Sequence, residues 1–556
     1  MGNLAGPDLL VFFLYFVVVA VYGWWVYRRK GRRNADSKDY FLAEDSLTWW
    51  AIGASLIASN ISAEQFIGMS GSGFSMGLAI ATYEWMGGFS LLIVAVFFLP
   101  IYIRNKIYTM PQFLRRRYDG RVALIMSVFW LLLYVVVNLT SILYLGALAL
   151  NSVSGVSITV AMLFLALFAV VITLGGMKVI GYTDVVQVFF LVLGGLVTTW
   201  LALQLVSQAF GTTGVGKGFA LLQEHAADHL HMIFRKSDPY YMDLPGLSVL
   251  IGGMLVVNLQ YFGCNQYITQ RALGADLKTA RNGLLFAGFL KLLLPLIVVL
   301  PGIAAYALHQ QGLFHQEMMQ GGELNPDRAY PTLLNLLPAG LKGLSFAALT
   351  AAIVASLAGK ANSIATIFAL DVYKPYFRKE ASEKQLVWVG KLTIVLSVVL
   401  AIALAPHLGI DKKGGFQYIQ EYTGFVSPGV FAMFLLGFLW KRTTANAALF
   451  AIVGGFLLSV LLKVLPQLVD LSFLYPVGFA VPNAEGVYEI PFIDRIGIVF
   501  VLCVLGMALI SIRETRRGIT PHGLEVDAAM FKVSRSFLLG SAVLVTLLAA
   551  LYAYFW

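Results

Sequence analysis

Glu64, Glu84, Asp184, Lys291, Lys360 and Glu421 are ionisable side chains set inside long apolar stretches. At the centre of a bilayer each costs about 2.5–3.5 kcal/mol, so such groups pair, line a wet cavity or snorkel from a helix end. Snorkelling serves for Lys391, Lys463 and Arg495, near the ends of their stretches. It serves poorly for Glu84 in TYEWMGG and Lys291 in GFLKLLLP, whose opposite charges suggest a shared polar cavity. Glu84 and Gly87, Asn258 and Tyr261, and Gln417 and Gln420 are each three apart and so share a helix face. Gln65, Glu84, Asn258, Lys291 and Gln420 together offer the donors and acceptors that a neutral polyol needs, and Tyr83, Tyr261 and Phe416 offer rings for its C–H faces. The competing reading of any one amide is an interhelical hydrogen bond, worth about 0.6–2 kcal/mol.

A monovalent cation wants hard oxygens. Unwound carbonyls near Ala58 and Ile61 and the hydroxyl of Ser356 could supply them; Ser356 lies in the small-residue run AALTAAIVASLAGKANS (347–363), for which composition alone favours close helix packing. His225 and His229, in EHAADHLH (224–231), are four apart on a possible helical face and could hold zinc, although their order is not that of a metalloprotease. SGSG (70–73) reads as a turn between spans, because no GK[ST] follows it. No CxxC pair or nucleophile elbow is present, and Cys264 and Cys503 lie in apolar stretches with no disulfide framework.

These residues need elements that hold them at membrane depth. The chain of 556 residues is 59% apolar and 12% charged, with a mean hydropathy of +0.79. A soluble domain is nearer 45–50% and about 25%. That excludes a disordered chain, a nucleic-acid binder and an ordinary cytosolic enzyme. The apolar runs predict fourteen spans, at 9–27, 47–70, 77–103, 122–150, 156–175, 180–208, 246–269, 283–308, 343–370, 386–408, 416–440, 443–464, 492–512 and 536–555. The N-terminal MGNLAGPD lacks the basic start of a secretory signal, so the first run reads as a retained span. The net charge of +10 gathers in alternate loops, around Arg28–Arg33, Arg104–Arg121, Lys374–Lys379, Lys441–Arg442 and Arg513–Arg517; loops with Lys217, Arg235, Arg328 and Lys412–Lys413 are sparse. The positive-inside rule makes the first set cytoplasmic and puts both termini outside, which agrees with an even number of spans.

Two spans should be broken. ASLIASNISAEQFIGMSGSG (54–73) and VVNLQYFGCNQY (256–267) carry more polar residues than a lipid-facing helix tolerates. They lie five spans apart, so spans two to six and seven to eleven read as inverted copies, with broken helices at matching places marking a transporter's central site. The expected fold is an all-α membrane protein of 14 transmembrane helices with an inverted five-plus-five repeat and two broken helices. Its parts are a leading helix and basic loop (1–46), a first repeat (47–208), an outer loop (209–245), a second repeat (246–440) and three trailing helices (441–556).

The strings ASLIASNISAEQFIGMSGSG, VFWLLLYVVVNLTSILYLG (128–146), YTDVVQVFFLVLGG (182–195), LPGIAAYAL (300–308) and FQYIQEYTGFVSPG (416–429) resemble the sodium/glucose cotransporters of the solute:sodium symporter family, most of all their bacterial sodium/galactose branch, along nearly the whole chain. The resemblance implies that Gln65, Glu84, Asn258, Lys291 and Gln420 hold sugar hydroxyls. It further implies that Tyr261 stacks on the ring as an inner gate steadied by Asn60, and that Met69, Tyr83 and Phe416 cover the sugar from outside. Sodium ligands would be the carbonyls of Ala58, Ile61 and Ala352 with serine hydroxyls, and Asp184 would lie on the exit route. Three departures stand out. The adjacent serines are Ala355-Ser356, so one hydroxyl is missing; Lys360 lies one turn beyond Ser356; and Gly87 replaces a serine lining the pocket, leaving room or a water.

The reading is a secondary active transporter importing a hexose, galactose or glucose, with Na+ by alternating access through the plasma (inner) membrane. No enzymatic activity, organic cofactor or nucleic-acid partner is expected, and the sequence leaves the oligomeric state open. One alternative is a carrier of the same fold for proline, pantothenate or sialic acid; another is sugar transport weakly coupled or uncoupled from Na+, because of Ala355 and Lys360. A membrane enzyme built on the histidine loop and a sugar-gated sensor or channel are rivals from other classes.

Overall fold

The computed structural model describes residues 4–30, 47–175, 177–320, 322–407, 415–483 and 485–556. The basic run through Arg32 and Arg33 and the pair Lys412 and Lys413 lie outside the described residues. The protein is mostly helical; its only strands among the described residues are two short antiparallel hairpins in loops, Met319–Gln320 with Glu323–Leu324 and Val481–Pro482 with Tyr488–Glu489. Among the described residues, 11 helices are long and apolar enough to cross a membrane, and Ile158–Thr173 and Ser427–Leu439 are shorter apolar helices. Length and apolarity in that combination make a multi-pass membrane protein.

The chain divides into two compact units. The first comprises Met1–Ala81, Leu131–His231 and Phe289–Ile419. Its axis is the helix Leu341–Thr366, in which every residue except Leu341 and Leu344 is buried. The run of alanine, glycine and serine makes this possible, because small side chains let backbones approach where lipid gives helices no hydrophobic push. The helices Gly6–Lys30, Trp49–Asn60, Ile158–Thr173, Met177–Ala209 and Glu383–Leu404 pack around it. Asp8 locks the first of these in place, its Oδ1 accepting from the amides of Gly340 (2.7 Å) and Gly343 (3.0 Å) at the start of the axial helix.

SGSG is not a turn. Ser70–Met76 is helical, and the helix ends at Gly77, whose φ of +75° suits only glycine and where a Cβ would stand 2.2 Å from the carbonyl oxygen of His229. The helix Val215–His225 ends before His229, so the two histidines share no helical face. His225 stacks on Phe210, and His229 stacks on Tyr306 with Nε2 3.1 Å from the Phe74 carbonyl. Among the described residues no group of three His, Cys, Asp or Glu is placed to hold a metal.

The second unit comprises Thr82–Trp130, Met232–Gly288 and Gln420–Trp556. Arg117, expected among solvated loop cations, is buried; its guanidinium donates to the carbonyls of Gly437, Trp440, Thr443 and His522 at 2.8–3.0 Å and so caps the end of the helix Ser427–Leu439. Lys463 and Arg495 do not snorkel either. Both reach Glu421, at 2.9 and 3.1 Å, because a half-buried carboxylate on another helix offers them a stronger partner than water does. A further interruption, at Phe425–Val426, separates Gly415–Gly424 from Ser427–Leu439. Outside the spans, Asp276 accepts from the amides of Lys278 and Thr279. The Thr279 side chain first, then these amides, holds its carboxyl below the usual range.

Candidate functional site

In the first unit the helix Trp49–Asn60 stops at Ile61, which is extended (φ −79°, ψ 117°), and the chain rewinds from Glu64 in a wide turn. The sequence explains the stop: SNIS offers hydroxyl and amide groups that compete with the backbone ladder. The amide of Ser62, which a continuous helix would give to the Ala58 carbonyl, donates instead to Gln65 Oε1 at 2.9 Å. The amide of Gln65, which would serve the Ile61 carbonyl, donates to Ser62 O at 3.2 Å. The Ser62 hydroxyl also donates to Gln65 Oε1 and accepts from the Glu64 amide. Ala58 and Ile61 thus present carbonyls from which the ladder has withdrawn.

Ser356, on the axial helix, donates its hydroxyl to the Ser59 carbonyl at 3.2 Å, so this turn of the axial helix lies against the break. Ala352, one turn earlier, lies in unbroken helix, so its carbonyl has one lone pair to offer beyond the ladder. Ser59 Oγ is buried and has no hydrogen-bond partner. A missing serine at position 355 was legible in the sequence; the orphaned hydroxyl of Ser59 was not, since serine in a helix normally bonds back to its own turn. The withdrawn carbonyls of Ala58 and Ile61 and the Ser356 hydroxyl against the break are hard oxygens, the donor type a small monovalent cation takes. One turn before Ser59 on the same face, Ser55 donates to Asp184 Oδ2 at 2.5 Å.

Lys291 is buried and donates to Asn60 Oδ1 at the end of the interrupted helix. Gln65 spends its carboxamide oxygen on capping the break. Gly68 faces Phe416 so closely that a Cβ there would lie 2.8 Å from the Phe416 amide nitrogen, which sets Met69 and Phe416 near one another, both buried.

In the second unit the helix Gly253–Cys264 stops at Asn265 (φ −106°, ψ 122°) and restarts at Gln266. Asn258 donates to the Met254 carbonyl at 3.1 Å, and the hydroxyls of Tyr261 and Tyr267 are hydrogen-bonded. Tyr83 and Glu84 are buried and Gln420 half-buried. Gly87 does not leave a void, because a Cβ there would stand 3.0 Å from the Phe262 ring and 3.3 Å from Asn258 Oδ1, which already fill the space.

Apolar helices interrupted where polar groups gather define a polytopic membrane carrier. A sequence model of the sodium:solute symporter family matches residues 40–455, and the chain belongs to that family. It is 44% identical over 560 residues, 99% of its own length and 98% of the relative's, to a sodium/glucose cotransporter of Vibrio parahaemolyticus. It is 36% identical over 484 residues to the human sodium/myo-inositol cotransporter 2, covering 82% of this chain and 70% of the relative. A Na+-coupled sialic acid symporter in a substrate-bound outward-open state shares the fold, with a TM-score of 0.72 at 21% identity over 92% of this chain and 98% of that one. A nucleobase-cation-symport-1 family transporter gives 0.51 at 15% identity over 92% and 99%.

Proposed function

We propose that this protein imports a hexose, galactose or glucose, together with Na+ by alternating access. The observation that carries the reading is the break at Ile61, where the ladder gives up the Ala58 and Ile61 carbonyls beside Ser356. We assign Na+ to those carbonyls, Ala352 and Ser356, with Asp184 on its way out. In the first unit the sugar contacts are Asn60, Gln65, Met69, Lys291 and Phe416; in the second they are Tyr83, Glu84, Gly87, Asn258, Tyr261 and Gln420. The relatives named for glucose and for myo-inositol support a cyclic polyol as substrate. The architecture proposed is fourteen spans with inverted repeats at 47–208 and 246–440, a leading segment (1–46), an outer loop (209–245) and trailing helices (441–556), in the plasma (inner) membrane with both termini outside.

The energetics suffice. One charge crossing 100 mV releases about 2.3 kcal/mol, and a tenfold Na+ gradient adds about 1.4 kcal/mol. Together they sustain a sugar gradient of about a few hundredfold. The test is uptake of labelled galactose and glucose into proteoliposomes in sodium, potassium and choline buffers. Accumulation only in sodium is expected; equal uptake in all three would remove the coupling.

A further inference from the structure

Lys360 and Glu64 form an ion pair inside the first unit. Lys360 Nζ stands 3.8 Å from Glu64 Oε1, and the two residues are 2% and 9% exposed. Glu64 Oε1 accepts no hydrogen bond, so at this atom its partner is charge alone. Both members flank the cation site just described. Glu64 opens the rewound half of the broken helix, three residues past Ile61. Lys360 follows Ser356 by one turn on the same face, a rise of about 6 Å, and Ser356 touches the break through the Ser59 carbonyl.

We propose that this pair sets the protein's affinity for its coupling cation, with Lys360 as a tethered positive charge and Glu64 as the charge that offsets it. The proposal rests on reading Ala58, Ile61 and Ser356 as the Na+ site. An uncompensated ammonium close to a bound cation weakens its binding, by about a hundredfold for charges about 6 Å apart at an effective dielectric near 20. A carboxylate 3.8 Å from that ammonium offsets the repulsion, so sodium still binds. The pair therefore acts on Na+ through two opposed charges, and removing either one shifts the balance toward the other.

The test is equilibrium binding of 22Na+ to purified protein without sugar, alongside uptake. Glu64→Gln is expected to weaken Na+ binding by about ten- to a hundredfold and Lys360→Met to tighten it by about tenfold or more. The double variant E64Q/K360M and the charge-preserving Lys360→Arg should return to within about threefold of wild type. Unchanged Na+ affinity in both single variants, with wild type still sodium-dependent, overturns the pair's role and leaves the sodium-coupled reading standing. A wild type that binds no 22Na+ and takes up sugar equally in all three salts takes down both. If both single variants fail to fold while the double variant folds and binds sodium as wild type does, the pair is a structural latch and the proposal falls.

Discussion

The two broken helices interrupt the same kind of apolar span, yet they treat the freed backbone differently. At Asn265 side chains stitch the gap. Tyr102 donates to the Gly263 carbonyl at 2.7 Å, the Thr269 hydroxyl donates to the Asn265 carbonyl at 3.0 Å, and Gln266 Oε1 accepts the Met110 amide at 2.8 Å. At Ile61 the nearby side chains take the amides and leave the carbonyls of Ala58 and Ile61. Backbone polar groups at membrane depth are tolerated only when something satisfies them. At the second break a side chain thus takes a freed carbonyl, that of Gly263, whereas at the first the side chains take amides and leave the hard oxygens that the proposed Na+ site uses. A helix break in a transporter is not by itself a binding site; which backbone groups the surrounding side chains consume decides that.

The largest effect expected from breaking this contrast is at Lys291. Lys291→Ala removes the donor that holds Asn60 at the open break and should lower proteoliposome uptake by about a hundredfold or more, while membrane abundance on immunoblots stays normal. Gln65→Ala, which takes away the acceptor of the Ser62 amide, should act in the same direction. Next comes Ser356→Ala: loss of one hard-oxygen ligand should raise the sodium concentration for half-maximal uptake by about tenfold. Ser59→Ala should raise it by about threefold to tenfold, and the apo protein should melt no lower, because an unpartnered buried hydroxyl contributes nothing to the empty fold. If Ser59→Ala leaves sodium dependence untouched, that hydroxyl is no ligand. The smallest effect belongs to the stitched break. Tyr102→Phe should cost about 1 kcal/mol of stability, read as a lower melting temperature, with the sodium half-saturation unchanged.

Much of this was legible beforehand. Polar residues crowded at 58–65 and 258–266 announced both interruptions, since an unbroken lipid-facing helix would not carry them. The third interruption, at Phe425–Val426, left only Gly424 and Pro428 as a trace. Glu421 was visible as an ionisable group at depth, but its partners were not. Lys463 and Arg495 lie 42 and 74 residues away in the chain, and end-of-helix lysines and arginines usually do reach for the headgroups. Arg117 misled in the same way: a basic triplet reads as a solvated loop until four carbonyls surround one of its members.

By itself the sequence determined the solvent and the chemistry of the interior. Runs of about twenty apolar residues permit only helices in lipid, and the rare polar residues inside them say where the ladder must yield. Only the tertiary structure decided which of the yielded groups stay available. That depends on distances between helices far apart in the chain, such as Glu64 to Lys360 and Ser356 to Ser59, and a hydrogen bond or ion pair lost or gained across a few ångströms leaves no mark in residue order.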